Sequence, residues 1–207
     1  MNVNDQYYTA DPTSESKPVP CAFPYRGYGL NFMTDAGVFS KGELDAGSRL
    51  LLDALPAFTG DVLDIGCGWG AIGVALAKAN KNAKVAMVDV NRRALGLCQE
   101  NCQRNGVTAE VIESDGMAEV LGRKFDAIVT NPPIRAGKQV IYKMFADAAV
   151  SLNEGGALYL VIRKQQGAES CVKYLKTLFN EVDKLDKSAG FWVLKASEPK
   201  EDAEDEV

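Results

Sequence analysis

Between residues 61 and 179, short apolar runs alternate with longer stretches whose apolar positions recur every three or four residues. Val62–Ile65, Lys84–Val90, Ala109–Ser114, Phe125–Thr130 and Ala157–Ile162 are the runs, each bounded by turn residues. Their length and near-continuous hydrophobicity predict strands buried on both faces. The intervening periodicity predicts helices near 71–79, 92–104, 138–150 and 167–179, with a short one near 117–121. Asn105-Gly106 reads as the C-cap of the helix 92–104. Strands alternating with helices imply a mostly parallel sheet covered on both sides, an α/β fold. At the far end, EVDKLDK and GFWVLKA flank Ser188-Ala189-Gly190 and predict a terminal hairpin.

Upstream the pattern is weaker. Residues 1–24 are polar and proline-bearing and are expected to run loosely over the surface. Tyr25–Asp35 reads as a short hairpin with Gly27 and Gly29 at its turn. Ser40-Lys41-Gly42-Glu43 matches a capping box, and Leu44, Gly47, Leu50, Leu51 and Leu55 follow at helical spacing, with Pro56 closing the helix. The chain thus divides into an N-terminal extension (1–60), a core (61–197) and an acidic tail (198–207) expected to be disordered.

Charge changes the picture only at that tail. Of 28 acids and 23 bases, the tail holds six acids and one lysine, leaving a neutral body with 22 of each sign. Neutrality argues against indiscriminate affinity for nucleic acid, but local patches decide binding. No apolar run reaches membrane-spanning length, and the N-terminus has neither basic flank nor apolar stretch, so the expected location is the cytoplasm. The five cysteines (Cys21, Cys67, Cys98, Cys102, Cys171) form no CxxC pair and are expected to be buried and reduced. Histidine is absent altogether, which removes Ser-His, Cys-His and His-metal chemistry; no metal is expected.

The candidate chemistry sits at strand ends. Asp64-Ile65-Gly66-Cys67-Gly68-Trp69-Gly70 joins a strand to a helix, and its glycines let a ligand approach the backbone. Gly68, Gly70 and Gly73 also satisfy GxGxxG, so a dinucleotide is a competing ligand. Asp64 at the mouth of the loop opposes a pyrophosphate and favours a cationic ligand such as S-adenosylmethionine. Asp89 is positioned for ribose hydroxyls, which nicotinamide cofactors share. Asp115 suits the adenine amino group, with Gly116 leaving room for the ring. Each aspartate alone is as well explained as a solvated strand-end or capping residue. Asn131-Pro132-Pro133-Ile134 follows the strand Phe125–Thr130: two prolines remove backbone donors, leaving an acceptor-rich corner suited to an amino group.

DIGCGWG, Asp89, Asp115 and NPPI together resemble a class I S-adenosylmethionine-dependent methyltransferase of the amino-group-modifying branch. GVFSKGELDAGSRLLL (37–52) is similar to the segment before the glycine loop in ribosomal RNA small-subunit methyltransferase C and its archaeal single-domain relatives. The likeness runs from about Thr34 to Ala196. It implies a Rossmann-like seven-stranded sheet ending in an antiparallel hairpin, and N2-methylation of guanine in ribosomal RNA. It implies S-adenosylmethionine contacts from Asp64, Gly66, Cys67, Gly68, Gly70, Asp89, Val90, Asn91, Ser114, Asp115, Gly116 and Asn131. Asn131, Pro132 and Pro133 would be catalytic, the target amine donating to the Asn131 side chain and the Pro132 carbonyl. Phe39 and Ile134 would meet the base, and Arg135 and Lys138 the RNA phosphates. Phe39 fits a core contact equally well, Arg135 and Lys138 fit solvated charges, and Trp69 could flank the cofactor or pack beneath the loop.

Two departures qualify the likeness. The two-domain bacterial enzyme has an N-terminal half without a counterpart here, and the family tetrapeptide often ends in an aromatic residue where this chain has Ile134. Protein-glutamine N5-methylation, DNA adenine methylation, an inactive cofactor-binding module and a nicotinamide oxidoreductase remain alternatives. Oligomeric state stays open between monomer and homodimer.

Overall fold

The computed structural model describes residues 9–201. An antiparallel hairpin, β1 (Val19–Tyr25) and β2 (Tyr28–Thr34), precedes helix α1 (Ala46–Ala54). Then follow β3 (Gly60–Ile65), α2 (Ala71–Ala79), β4 (Ala83–Asp89), α3 (Arg92–Asn105), β5 (Glu110–Glu113), β6 (Phe125–Thr130), α4 (Lys138–Val150), β7 (Leu152–Arg163), α5 (Ala168–Leu178), β8 (Phe179–Ser188) and β9 (Phe191–Pro199). Seven strands form one sheet in the order β5-β4-β3-β6-β7-β9-β8. The five from β3 to β7 are parallel, and β9 enters antiparallel between β7 and β8. The Rossmann-like seven-stranded architecture expected from the sequence is the one present.

The continuous apolar runs feed two layers. Val62 joins α1, α2, α3 and the hairpin on one face, while Leu63 and Ile65 join α4 and α5 on the other. A strand buried on both faces has no polar alternation to show, as its sequence displays. The chain reverses direction across β3, with β4 on one side and β6 on the other. Crevices at the carboxyl ends of strands open at such a switch point.

The N-terminal extension differs from expectation. β1 begins at Val19, inside the stretch expected to be loose: Cys21, Phe23 and Tyr25 point inward while Pro20 and Pro24 face solvent. Proline is tolerated there because β1 is an edge strand, where missing donors break no ladder. Arg26 and Gly27 (φ 45° and 83°) make the turn, and Gly29 belongs to β2. The capping box is not formed. Ser40 is itself left-handed (φ 54°) and donates to the Glu43 carbonyl, whereas Asp45 caps α1 by accepting from Gly47 N (2.9 Å) and Ser48 N (3.1 Å). At the other end β9 takes in Glu198 and Pro199, which the charge run assigned to the tail; residues 202–207 lie outside the described residues.

The hairpin docks through two buried side chains of α3. Asn105 exchanges a pair of hydrogen bonds with the Asn31 backbone (3.0 and 2.8 Å), and Asn101 does so with Met33 (2.7 and 2.9 Å). Side-chain amides four residues apart on a helix thus stand in for a neighbouring strand.

Candidate functional site

The loop after β3 is built from backbone donors. Gly66 N and Cys67 N both donate to Val88 O (2.9 and 3.0 Å), and Gly68 N donates to Asp89 Oδ2 (2.8 Å). Gly66, Gly68 and Gly70 take φ of 69°, 55° and 89°, a conformation that excludes most side chains. The positions where Cβ atoms would stand on Gly66 and Gly68 face open space, so the loop presents bare backbone. Gly70 starts α2, and a Cβ there would lie 2.8 Å from Cys98 Sγ.

The three aspartates part company. Asp64 is 1% exposed and does not line the cleft; its Oδ2 accepts from Gly73 N (2.8 Å) beneath the loop and its Oδ1 has no partner. Burial pushes its carboxyl up to about 7, opposed by the Gly73 N–H and helped by Asp89. Asp89 faces the cleft, and its Oδ1 accepts from Asn91 N (2.8 Å). Burial raises its pKa too, against the backbone N–H groups of Asn91, Gly68 and Val90. Asp115 is exposed at the rim beside Gly116 and the buried Ser114, whose hydroxyl donates to Gly116 O (3.1 Å). Asn91 lies behind the wall: its Oδ1 caps α3 through Ala94 N (3.0 Å) and its Nδ2 donates to Gly37 O (2.9 Å).

At the end of β6 the acceptor-rich corner takes shape. Asn131 Nδ2 donates to Ser48 Oγ (3.0 Å) and to both Asp45 oxygens (3.3 and 3.5 Å). A carboxylate accepts only, so it fixes the amide with nitrogen toward α1. The amide oxygen is left for the cleft that Asn131 lines. Pro133 O is used by Ala136 N (2.8 Å). Pro132 and Pro133 line the cleft, but Ile134 packs into the apolar layer under α4. The apolar wall next to Asn131 is instead Ala136, Val140 and Met144, of which Val140 is 44% exposed. Arg135 and Lys138 are exposed outside the cleft.

The opposite wall comes from the segment after β2. Phe39 is 38% exposed along the cleft, and its carbonyl accepts from Trp69 Nε1 (2.9 Å). Trp69 meets Phe32 edge-on (5.1 Å) beneath the loop and also borders the cleft. Cys67 also borders it. Contact with Cys98 lowers the Cys67 pKa, but burial and the nearby Asp89 and Asp64 carry it up to about 11, leaving a neutral thiol at pH 7. All five cysteines are free and buried. Asp45, Ser48, Ala136, Val140 and Met144 carried no signal in the sequence, because only the folding of α1 and α4 against the β6 corner brings them there.

The cleft, about 1040 Å³ and open to solvent, fits S-adenosylmethionine. It combines a bare glycine loop, the Asp89 carboxylate at the β4 end, and a rim of Ser114, Asp115 and Gly116 against the apolar Val90 and Met144. Among the described residues no group of three or more His, Cys, Asp or Glu side chains could hold a metal, and no helix is long and apolar enough to cross a membrane.

Known proteins resemble this chain in sequence and in fold. The profile of the methyltransferase small domain family matches residues 29–195. An uncharacterized protein of Bacillus subtilis, YbxB, is 41% identical over 198 residues, covering 94% of this chain and 98% of its own. The ribosomal RNA small subunit methyltransferase C of Aeromonas hydrophila is 40% identical over 171 residues, covering 79% of this chain and 48% of that protein. The chain therefore spans about half the length of that relative. A T. thermophilus 16S rRNA N2 methyltransferase, solved in complex with AdoMet and guanosine, superposes with a TM-score of 0.80 at 30% identity, over 90% of this chain and 52% of the other.

Proposed function

We propose that this chain, which belongs to the methyltransferase small domain family and is an S-adenosylmethionine-dependent methyltransferase, methylates the exocyclic N2 amine of a guanine in small-subunit ribosomal RNA. The observation that carries the reading is the Asn131 amide, locked by Asp45 and Ser48 so that its oxygen serves the cleft. Together with the Pro132 carbonyl it offers two acceptors to an amine carrying two N–H donors.

When bound, S-adenosylmethionine supplies an electrophilic methyl group on a sulfonium. Gly66 and Gly68 would leave room for it along the loop, Asp89 would accept from the ribose hydroxyls, and Asp115 would accept from the adenine amino group. Asn131 Oδ1 and Pro132 O hold the guanine amine so that its lone pair faces the reacting carbon. No base need act before attack: the N–H bonds polarise toward these acceptors as charge develops on nitrogen, and the proton leaves to solvent afterwards. Catalysis then rests on proximity and fixed dipoles, consistent with a chain without histidine. Phe39 on one side and Ala136 and Val140 on the other would sandwich the base, a role the family resemblance assigned to Ile134 in place of Ala136 and Val140.

The choice of RNA rests on the relatives named as ribosomal RNA methyltransferases and on the guanosine in the solved neighbour. Protein-glutamine N5-methylation needs the same acceptors and is the competing reading. Purified enzyme with tritiated methyl donor is expected to label deproteinised small-subunit RNA or small-subunit particles, and digestion should yield N2-methylguanosine. Label confined to protein would overturn the assignment. Asn131→Ala should lower turnover by about 100-fold, the usual loss for one preorganised polar contact, and change cofactor affinity less than about threefold. Equal loss of both would remove Asn131 from the acceptor role.

A further inference from the structure

The carboxyl edge of the sheet changes charge across β6. Toward β3, β4 and β5 it carries the glycine loop, the carboxylates of Asp89 and Asp115, Glu113 ion-paired with Arg92 (2.9 Å), and Arg93, whose guanidinium is spent on the Ala36 and Ser14 carbonyls. Toward β7, β9 and β8 it carries Arg163 and Lys164 at the end of β7 and Lys187 near the end of β8, with Arg135 and Lys138 in the segment after Asn131. All five cations are exposed, and among the described residues none has a carboxylate within 4.0 Å. The acids on this half are Asp186, half-buried and accepting from Lys187 N, and Glu169 in the first turn of α5.

These cations are tied to the reactive corner. The Arg163 guanidinium stacks over Phe191 (4.7 Å). The Phe191 ring in turn abuts Gly47, one ring carbon lying 3.0 Å from where a Cβ there would stand. Gly47 N donates to Asp45, which holds Asn131. On the far side, Lys164 N donates to Gly190 O (2.9 Å) and joins the end of β7 to the β8–β9 turn. Phe191 pairs with Arg163 on one side and Ser188 on the other, so the backbones of Arg163, Lys164 and Lys187 lie within two strand spacings, about 10 Å, with Arg163 over Phe191 on one face of the edge and Lys187 over Trp192 (5.7 Å) on the other.

We propose that Arg163, Lys164 and Lys187, continuing Arg135 and Lys138, form a phosphate track along which the RNA strand flanking the target guanine lies across the β7–β9–β8 edge. The proposal rests on the RNA reading of the cleft and adds the direction in which the substrate leaves it. The nucleoside cofactor occupies the half whose arginines are already committed, Arg92 to Asp11 and Glu113 and Arg93 to backbone carbonyls, so a polyanion attached to the target base is better received over the half whose cations have no carboxylate partner. Exposed cations without carboxylate partners lose little in binding phosphate, because no protein ion pair must first be broken.

The test uses the full chain carrying Arg163→Gln, Lys164→Gln and Lys187→Gln, with Lys81→Gln/Lys84→Gln/Lys124→Gln at the opposite end of the sheet as the charge-matched control. Affinity for a small-subunit RNA fragment is read by fluorescence anisotropy across a salt series, cofactor affinity by calorimetry, and KM for RNA by methyl transfer. Losing three phosphate contacts at about 0.7 each should flatten the slope of log K against log salt by about 2. KM for RNA should rise at least about tenfold with cofactor affinity unchanged. A triple variant with wild-type slope and KM overturns the track, as does a control that loses as much. Should the Arg163 change disturb packing on Phe191, Lys164→Gln/Lys187→Gln alone should still flatten the slope by about 1.4. A wild-type enzyme that ignores RNA and labels protein would sink the RNA reading itself, a failure visible before any variant is made.

Discussion

Asp45 serves two partners with one carboxylate. It caps α1 through Gly47 N and Ser48 N, and it receives the Asn131 amide nitrogen. Asp45→Asn separates these roles. Asparagine caps a helix about as well as aspartate, so stability should hold within about 0.5 kcal/mol. Its own NH2, however, would meet the NH2 of Asn131, and the Asn131 amide would flip to present a donor to the cleft. Turnover should fall by about 10- to 100-fold at an unchanged melting temperature; an active variant would show that Asp45 only caps. Asp64 gives a second prediction, in pH. Its folded pKa, about 7, is raised above the unfolded value, so the native state holds a proton the unfolded chain has lost. Stability from this group is present at low pH and lost as pH rises from about 4 to about 7, roughly 2 kcal/mol of it between pH 5 and 8. Asp64→Asn should abolish that portion in urea denaturations at the two pH values, while the Asp89 contribution, of the same sign, remains. Sequence reading found Asp64, Asp89 and Asp115 by their place at strand ends, but only two of them face the cleft. Burial depth, which separates the third, is not written in spacing.

Elements were legible where one physical signal dominated. Strands buried on both faces announce themselves as apolar runs, and α3 ends at the expected Gly106, left-handed at φ 59°. β1 was not, because Pro20 and Pro24 oppose a strand unless the strand is an edge with those prolines outward. The start of α1 was misread because Ser40–Glu43 has the composition of a capping box, but Ser40 and Gly42, both left-handed, turn the chain before Asp45 caps the helix. The corner at Asn131 was legible as an acceptor cluster, yet its wall was not, since Ile134 turns inward and Val140 outward. Gly73, third in the GxGxxG spacing, shows why that pattern alone was ambiguous. It lets α2 press on β4: a Cβ there would collide with the Met87 side chain and come within 3.1 Å of Asp64 Oδ2. That is helix-on-strand packing, which several nucleoside-binding folds need whatever the cofactor. Gly73→Ala should therefore cost about 1–3 kcal/mol in urea denaturation despite alanine's better helix propensity. A neutral or stabilised variant would mean that Met87 moves aside freely.

At the scale of the whole molecule, the extension and the sheet share one apolar core, although the pattern of the sequence changes near residue 60. Phe23, Tyr25 and Phe32 belong to the same apolar cluster as α1, α2 and α3, and the extension supplies Phe39, Asp45 and Ser48 to the cleft. Asn101 tests the union. It is fully buried, accepts from Met33 N, and donates to Met33 O and Trp69 O (2.8 Å), so it links hairpin, helix and glycine loop. Asn101→Ala leaves one backbone donor and two carbonyls without that partner, a penalty of about 3 kcal/mol if they stay dry. Were the hairpin a separate unit, it would detach first and the sheet would unfold later at its wild-type midpoint. A shared core instead lowers one common transition. In a Trp192→Phe background, Trp69, packed on Phe32, reports the hairpin side by fluorescence, and far-ultraviolet circular dichroism reports the sheet and helices. The two curves of Asn101→Ala are expected to coincide at a denaturant midpoint below that of the wild type. An early fluorescence change ahead of the dichroism transition would show that the cleft is assembled from two units rather than one.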